Sequence, residues 1–355
     1  MKIFPKKAIA ALSPYKSPRW EGEIKLDANE SPYDLPLEIK RRIFKELTTT
    51  RFNRYPDAEA RDLREAYARR FGLPIEWITA GNGSDELIMY IILAFARNKI
   101  IFSSPTFAMY RVIGISCGAK VVDIPLDNNF ELQPKKIVSE KGASIIFISR
   151  PNNPTGNSFK KEEVINIIKK TKALVVVDEA YAEFCQDTLL PYLKRFKNLV
   201  ILRTFSKAFG LAGIRVGFML GQPYLSELVN KVRLPYNLSL FSQVAGRIVL
   251  GNSRLLDDSL RTIMAERDRL FEDLKTIDGF SPCRSQANFI LFRTSFPSSR
   301  LSSYLARKGI LIRNLNGYPG LKNCLRVTIG TKKENNLFLR SVREESHEKR
   351  RSYQA

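Results

Sequence analysis

A lysine lies in a loop of hydroxyl residues and glycines between two apolar segments of this sequence. Lys207 belongs to the segment TFSKAFGLAGIRVG (204–217), in which Arg215 follows the lysine by eight residues. Lysine amines condense with carbonyl compounds, and the carbonyl cofactor pyridoxal phosphate also needs a phosphate-binding site and a carboxylate beside its ring nitrogen. Thr204, Ser206 and Arg215 carry hydrogen-bond donors suited to a phosphate. A surface lysine in a glycine-rich turn is the competing interpretation of this segment alone.

Two segments that follow predicted strands supply further polar groups. Asp178 ends the apolar run 173–177, at the carboxyl edge of a sheet, where α/β proteins bind ligands. A carboxylate there would keep the ring nitrogen of the cofactor protonated and make the ring a better electron sink. Tyr181, and Asn153 in PNNPTG (151–156), can hydrogen-bond the phenolic oxygen of the cofactor. Taken alone, Asp178 is equally suited to cap a helix and PNNPTG to form a plain turn.

The segment GNGSDE (81–86) stands between a short predicted strand and a predicted helix over 84–96. Backbone N–H groups at Ser84 and Asp85 would point at a ligand from the helix N-terminus, where the helix dipole also favours a phosphate. The segment is not a GxGxxG motif, and by itself it is a weak signal.

Cysteine and histidine chemistry is excluded by the positions of these residues. The four cysteines lie far apart without a CxxC pair, and the one histidine, His347, lies in the polar tail. Zinc sites built from cysteine and histidine therefore lack ligands, and a Ser-His-Asp or Cys-His mechanism lacks its base. We expect no metal site, and we expect acid–base chemistry to depend on Lys, Tyr, Asp or Glu.

The chain is strongly basic, since 58 lysines and arginines against 36 acidic residues give a formal net charge of +22. Such an excess is compatible with a nucleic-acid partner. No block of five like charges and no RNP-type signature accompanies it, so nucleic-acid binding rests on net charge alone and is not expected. A basic surface with some bias toward anionic ligands explains the charge as well.

No membrane span or signal peptide is predicted. The longest apolar run, 87–96, is about half of the ~20 residues that cross a bilayer. No signal-type apolar region follows the basic N-terminus, so we expect a cytoplasmic protein with no membrane partner.

Apolar runs bounded by turn residues alternate with helical patterns through the first two thirds of the sequence. The runs are 99–102, 120–124, 143–149, 173–177, 199–202 and 216–220. Short strands buried on both faces predict a mainly parallel α/β sheet flanked by helices. The stretch 242–277 predicts two helices.

The pattern of predicted strands and helices changes near the C-terminus. The predicted strands are 287–293, 309–313 and 324–329, and the predicted helices are 299–308 and 333–348. We therefore predict a proline-rich N-terminal arm over 1–40, a large cofactor-binding domain over 41–240 and a small α+β domain over 241–355.

Together, GNGSDE, PNNPTG, VVDEAY (176–181) and SKAFGLAGIRVG (206–217) resemble the fold-type-I pyridoxal-phosphate aminotransferases, and the match runs through most of the chain. The resemblance implies that Lys207 binds pyridoxal 5'-phosphate covalently and is the catalytic residue. It also implies that Asp178 faces the ring nitrogen and that Asn153 and Tyr181 contact the phenolic oxygen. The implied phosphate contacts are Ser84, Asp85, Thr204, Ser206 and Arg215.

Two aromatic residues acquire roles from the same resemblance. Phe107, in PTFAMY (105–110), resembles the ring that stacks on the pyridine of the cofactor. An aromatic residue at this position is equally suited to a core. Tyr55, in NRYPD (53–57), resembles the tyrosine that this family donates across the dimer interface to the phosphate of the neighbouring cofactor. A homodimer with shared active sites is therefore implied.

Five further sequence motifs resemble those of the histidinol-phosphate aminotransferase branch of this family. They are LSPY (12–15), LDANESP (26–32), NRYP (53–56), PYNLS (235–239) and LRVTIG (325–330). The branch transfers the amino group of L-histidinol phosphate to 2-oxoglutarate in histidine biosynthesis, giving imidazole-acetol phosphate and L-glutamate. One site must then hold the phosphate ester of one substrate and the carboxylate of the other, and two guanidinium groups can bind both bidentately. The implied substrate contacts are Tyr15, Asn29, Tyr236, Arg313 and Arg326. A packed interface tyrosine is an equal interpretation of Tyr236.

Three other functions stay open at this point. Threonine-phosphate decarboxylases share the cofactor apparatus, but they usually carry a tryptophan where this chain has Pro235-Tyr236-Asn237. Aromatic or broad-range aminotransferases differ only in a few pocket residues. A basic nucleic-acid-binding protein on an inactive aminotransferase fold is the alternative of a different class, and the retention of Lys207, Asp178 and Arg215 argues against it.

Overall fold

The structure is a computed structural model that describes residues 4, 6–14, 22 and 24–354, without the side chains of 347–354. Its strands alternate with helices over most of the chain. The strands are β1 Ile24–Leu26, β2 Ile78–Asn82, β3 Lys99–Phe102, β4 Lys120–Asp123, β5 Ala143–Ser149, β6 Leu174–Asp178, β7 Leu199–Thr204, β8 Val216–Gly221, β9 Phe280–Pro282, β10 Phe289–Thr294, β11 Ile310–Asn314 and β12 Cys324–Thr328.

The helices form the outer layers of the fold. They are α1 Lys7–Ala10, α2 Leu37–Thr48, α3 Arg61–Phe71, α4 Gly83–Phe95, α5 Met109–Ser116, α6 Pro134–Ser139, α7 Lys161–Lys170, α8 Ala182–Cys185, α9 Pro223–Asn230, α10 Leu240–Gly251, α11 Asp257–Lys275, α12 Ser298–Arg307 and α13 Lys332–Gln354. No helix in the described part of the chain is both long enough and apolar enough to cross a membrane.

The first sheet is mainly parallel, as the apolar runs predicted. Its seven strands lie in the order β2-β8-β7-β6-β5-β3-β4, and the pairs from β7 through to β4 are parallel. Only β8 runs against both of its neighbours. Every residue of β6, β7 and β8 is buried, because helices cover both faces of the sheet. The carboxyl ends of β5, β6 and β7 therefore meet at one edge.

The second sheet is built mostly from the C-terminal part of the chain. Its order is β1-β11-β12-β10-β9, and all its pairs except β1 with β11 are antiparallel. Its core contains the apolar faces of α11, α12 and α13, with Leu270, Leu305 and Phe338 fully buried. The strands and helices predicted after residue 242 are confirmed, and the stretch 242–277 does form two helices, α10 and α11.

Two segments pack differently from their neighbours in sequence. The strand β1, in the stretch predicted as an arm, completes the edge of the second sheet by pairing with β11. Helix α10 places Val244, Ala245 and Val249 in the core of the first sheet. The bounds 1–40, 41–240 and 241–355 stay a prediction.

Candidate active site

A cavity of about 470 Å³ lies where the carboxyl edge of the first sheet meets the second sheet. Most of the residues that the sequence singled out line this one cavity. They are Asn29, Ser84, Asp85, Phe107, Asn153, Asp178, Tyr181, Thr204, Ser206, Lys207, Arg215, Arg313 and Arg326. The structure thus brings an amine, a carboxylate, several hydroxyl groups and three guanidinium groups to a common space.

Asp178 is the last residue of β6 and is 4% exposed. Its Oδ2 accepts a hydrogen bond from the hydroxyl of Tyr110 at 2.7 Å, and its Oδ1 accepts one from the N–H of Ala180 at 3.1 Å. Burial in this apolar sheet disfavours the charged form and raises the pKa of Asp178 to about 6. A cationic group in the cavity would stabilise the carboxylate, so the aspartate fits a protonated ring nitrogen.

A second group of side chains, here named the anion-binding cluster, consists of Ser84, Asp85, Thr204, Ser206 and Arg215. Arg215 Nη1 donates to Ser206 Oγ at 2.9 Å, and Arg215 Nη2 lies 3.4 Å from Asp85 Oδ2. Asn82, which precedes α4, makes no side-chain cap, so the backbone N–H groups of the first turn of α4 stay available to a ligand. Hydroxyl, guanidinium and helix N-terminus together fit a phosphate.

Close packing beneath the anion-binding cluster explains why residue 217 is a glycine. Gly217 on β8 pairs with Thr204 on one side and Gly81 on the other. A Cβ at Gly217 would lie 2.5 Å from the backbone C of Gly83 and from the N of Ser84. Only glycine lets the N-terminus of α4 rest directly on the sheet at this point.

Lys207 is partly buried, and its Nζ donates to the carbonyl oxygen of Ala28 at 3.0 Å. Burial is the main reason that the pKa of Lys207 is lowered to about 8, and the nearby guanidinium groups of Arg326 and Arg215 lower it further. A carboxylate from Glu30 acts in the opposite direction. A larger fraction of this amine is therefore in its neutral, nucleophilic form near neutral pH than for an ordinary lysine.

This lowered pKa leads to a testable pH dependence. Only the neutral amine attacks a carbonyl, so the rate at which Lys207 is labelled by pyridoxal phosphate and borohydride should reach half its maximum near pH 8. An ordinary lysine, with a pKa of 10.5, would reach it at a much higher pH. Peptide mapping of labelled protein across a pH series measures this. The Arg326→Ala variant should shift the midpoint upward, because a positive neighbour has been removed. A midpoint near that of the surface lysines in wild-type protein would contradict the prediction.

Asn29 adopts a left-handed backbone conformation, with φ of 54°, which asparagine tolerates better than most residues. Its Nδ2 donates to the hydroxyl of Tyr181 at 2.9 Å, and its Oδ1 accepts from Thr328 Oγ1 at 3.3 Å. Burial raises the pKa of Tyr181 to about 12, so its hydroxyl stays protonated. Asn29 thus positions Tyr181 at the cavity wall.

Two arginines come from adjacent strands of the second sheet. Arg313 on β11 and Arg326 on β12 are direct partners in the antiparallel register, so both side chains leave the same face of the sheet and enter the cavity lining. Arg326 Nη1 donates to Asn153 Oδ1 at 2.5 Å, and Nη2 donates to the carbonyl oxygen of Asp27 at 2.6 Å. Arg326 therefore also links the two sheets.

Two residues predicted from the sequence do not line the cavity of this chain, and a third is not described by the structure. Tyr55 is 80% exposed, and its ring stacks on that of Tyr236 with centroids 4.4 Å apart. Neither tyrosine lines the cavity. Tyr15 lies outside the described residues.

Sequence reasoning missed several lining residues, among them Thr106, Met109 and Tyr318, and it missed Tyr110 behind the wall. Tyr110 belongs to the PTFAMY segment, from which only the stacking ring was predicted. A second aromatic residue three positions after Phe107, at helical spacing, was the available signal.

Comparison with known proteins agrees with this geometry. Residues 21–342 match the family described as aminotransferase class I and II. A histidinol-phosphate aminotransferase from Thermococcus kodakarensis is 41% identical over 337 residues, which are 95% of this chain and 96% of that protein.

Solved structures show the same fold. The crystal structure of the histidinol-phosphate aminotransferase from Clostridium acetobutylicum superposes with a TM-score of 0.86 at 27% identity, over 92% of this chain and all of that one. The enzyme from Sinorhizobium meliloti, in complex with pyridoxal 5'-phosphate, has a TM-score of 0.86 at 24% identity over 96% and 97% of the two chains. The chain belongs to the class I and II aminotransferases and, within them, to the histidinol-phosphate aminotransferase family, whose members depend on pyridoxal phosphate.

Proposed function

We propose that this protein transfers the amino group of L-histidinol phosphate to 2-oxoglutarate, giving imidazole-acetol phosphate and L-glutamate, in histidine biosynthesis. The observation that carries the proposal is the placement of Arg313 and Arg326 side by side on the cavity that holds Lys207 and Asp178. Two guanidinium groups suit a phosphate dianion, and one of them suffices for a carboxylate.

The cavity residues divide between the cofactor and the substrates. We assign the phosphate of the cofactor to the anion-binding cluster, its ring nitrogen to Asp178 and its phenolic oxygen to Tyr181 and Asn153. Phe107 lies at the wall, edge-on to Tyr110 with centroids 5.6 Å apart, and is assigned the face of the ring. When bound, pyridoxal phosphate supplies an electron sink for negative charge at the substrate Cα.

Lys207 acts as the base in this proposal. Its amine removes the proton from the substrate Cα and delivers a proton to C4′ of the cofactor, and its lowered pKa makes more of the amine neutral for this task than an ordinary lysine would be. Asp178 holds the positive charge of the ring nitrogen in place. The chain has one histidine, His347 near its C-terminus, so the proposal assigns the proton transfer to Lys207.

The proposal is tested by substrate choice. Purified protein is incubated with 2-oxoglutarate and, separately, histidinol phosphate, histidine, phenylalanine or threonine phosphate, and the formation of glutamate is measured. Histidinol phosphate should give the highest kcat/KM. A preference for phenylalanine would instead indicate an aromatic aminotransferase, and carbon dioxide released from threonine phosphate would indicate a decarboxylase.

We further propose that the protein works as a homodimer. Several large apolar side chains on and near α2 and α10 are exposed in the single chain, with Phe52 and Tyr55 among the most exposed. Ring pairs connect them, since Phe44 contacts Phe241 edge-on at 6.4 Å and Tyr55 stacks on Tyr236. A group of exposed large apolar side chains in one part of the fold is suited to an interface. A second copy of the chain would cover it and bring Tyr55 to the partner's cofactor phosphate.

Mixing two defective variants tests this shared site. Tyr55→Phe lacks the donated hydroxyl and Lys207→Ala lacks the catalytic amine. Heterodimers of the two should contain one site in which both residues are intact. Activity should therefore recover above the sum of the separate variants after they are mixed and exchanged. A monomer in sedimentation that is fully active would contradict the proposal, and so would absence of recovery despite subunit exchange.

A further inference from the structure

Tyr110 is a fully buried tyrosine that the proposed reaction does not use. It lies on α5, and its ring is stacked on that of Phe147 of β5 with centroids 4.9 Å apart and planes at 12°. Phe107 contacts the ring edge-on from the cavity side at 5.6 Å and 85°. The ring is therefore held between the sheet and the cavity wall, and its direction is determined by packing on two sides.

The hydroxyl of this tyrosine meets the carboxylate that the cavity depends on. Tyr110 donates to Asp178 Oδ2 at 2.7 Å, the distance of a strong hydrogen bond to a charged acceptor. The N–H of Ala180 donates to the other oxygen, Oδ1. Each oxygen thus accepts from a protein donor and keeps a further lone pair for a ligand.

We propose that Tyr110 is a positioning residue for the cofactor: its hydroxyl holds the Asp178 carboxylate charged and aimed at the ring nitrogen. The inference rests on the proposed function, because it assigns the cofactor to this cavity. Tyr110 and Asp178 are 68 residues apart in the sequence, so their contact depends on how α5 packs against β5 and β6.

The charges around Asp178 explain why such a donor is needed. Burial disfavours the charged form of Asp178 most, and Asp85 and Glu179 disfavour it further, whereas Tyr110 and the N–H of Ala180 favour it. Removal of the Tyr110 hydroxyl therefore raises the pKa of Asp178. Tyr110 itself stays protonated, because burial and the adjacent carboxylate raise its own pKa. It can only donate to the aspartate.

The experiment compares Tyr110→Phe with a matched control, Tyr67→Phe. Both substitutions remove one hydroxyl from a buried ring, but Tyr67 lies on α3 among Phe71 and Phe218, outside the cavity. The equilibrium affinity of the full-length apoprotein for pyridoxal phosphate is measured over a pH series. The carboxyl band of Asp178 is followed by infrared titration, with Asp178→Asn identifying the band. Thermal unfolding reports stability.

Tyr110→Phe should weaken pyridoxal phosphate binding about tenfold and raise the titration midpoint of Asp178 by about one pH unit. Tyr67→Phe should leave both unchanged. A merely structural Tyr110 would lower the unfolding temperature and leave the midpoint where it is, and that result would overturn the inference. If wild-type protein bound no pyridoxal phosphate, the proposed function would fail, and the infrared titration would still decide whether Tyr110 controls Asp178.

Discussion

Replacement of Lys207 by alanine should abolish transamination while the protein stays folded. Under the proposed assignment, the variant loses the amine that would bind the cofactor covalently and the base that would move the proton at the substrate Cα. General acid–base catalysis alone contributes about two to four powers of ten, so we expect a loss of at least about a thousandfold in kcat. Glutamate formation from histidinol phosphate and 2-oxoglutarate measures it. Lys172→Ala, a change at an exposed lysine in the loop between α7 and β6, is the control and should retain activity.

Chemical labelling separates this role from an indirect effect. Borohydride treatment of wild-type protein with pyridoxal phosphate should leave the pyridoxyl group on the peptide that contains Lys207. The cavity position of the amine, 3.0 Å from the carbonyl oxygen of Ala28, is the reason for this selectivity. A label found only on other lysines, or full activity of Lys207→Ala, would refute the assignment.

Replacement of each of the two cavity arginines should affect kcat/KM for the two substrates differently. Loss of a charged hydrogen bond typically costs ~1.5–3 kcal/mol, or about one to two powers of ten in kcat/KM. Arg326→Ala should therefore lower kcat/KM for histidinol phosphate and for glutamate, since we assign Arg326 to the anion of both. Arg313→Ala should lower the value for histidinol phosphate more than the value for glutamate, because only the phosphate dianion needs the second guanidinium.

Controls for this comparison come from stability and from a remote arginine. Arg326 also contacts Asn153 and the backbone of Asp27, so unfolding of Arg326→Ala must be measured beside its kinetics. Arg254→Ala, at an exposed position before α11, should leave both values unchanged. Equal losses for Arg313→Ala with both substrates would indicate a general aminotransferase instead.

Much of the first sheet could be predicted because its signals are local. The runs 99–102 and 143–149 coincide with β3 and β5, and the runs for β4, β6, β7 and β8 differ from their strands by one or two residues at the ends. Doubly buried strands are continuous apolar runs, which any window of the sequence reveals. The edge strand β1 and the short helix α8 carried no such signal, since their conformation depends on partners elsewhere in the chain.

The common location of three candidate residues could be predicted from their positions relative to strands, while their roles stay predictions. Asp178, Asn153 and Lys207 each stand at or just beyond the carboxyl end of a strand, and parallel strands bring those ends to one edge. The cavity contains all three for that reason. Tyr55 and Tyr236, which the resemblance assigned to the site, lie outside the cavity of a single chain, and their roles stay predictions.

The sequence by itself determined which chemical groups follow the predicted strands: an amine, a carboxylate and hydrogen-bond donors suited to a phosphate. It also placed the one histidine in the polar tail, away from these segments in sequence. Tertiary structure alone decided which groups touch. Antiparallel register sets Arg313 beside Arg326, and the seating of α5 brings Tyr110 to Asp178. Burial lowers the pKa of Lys207 to about 8 and raises that of Asp178 to about 6. Residue types and spacings are local properties, whereas register, packing and desolvation arise only when distant segments meet.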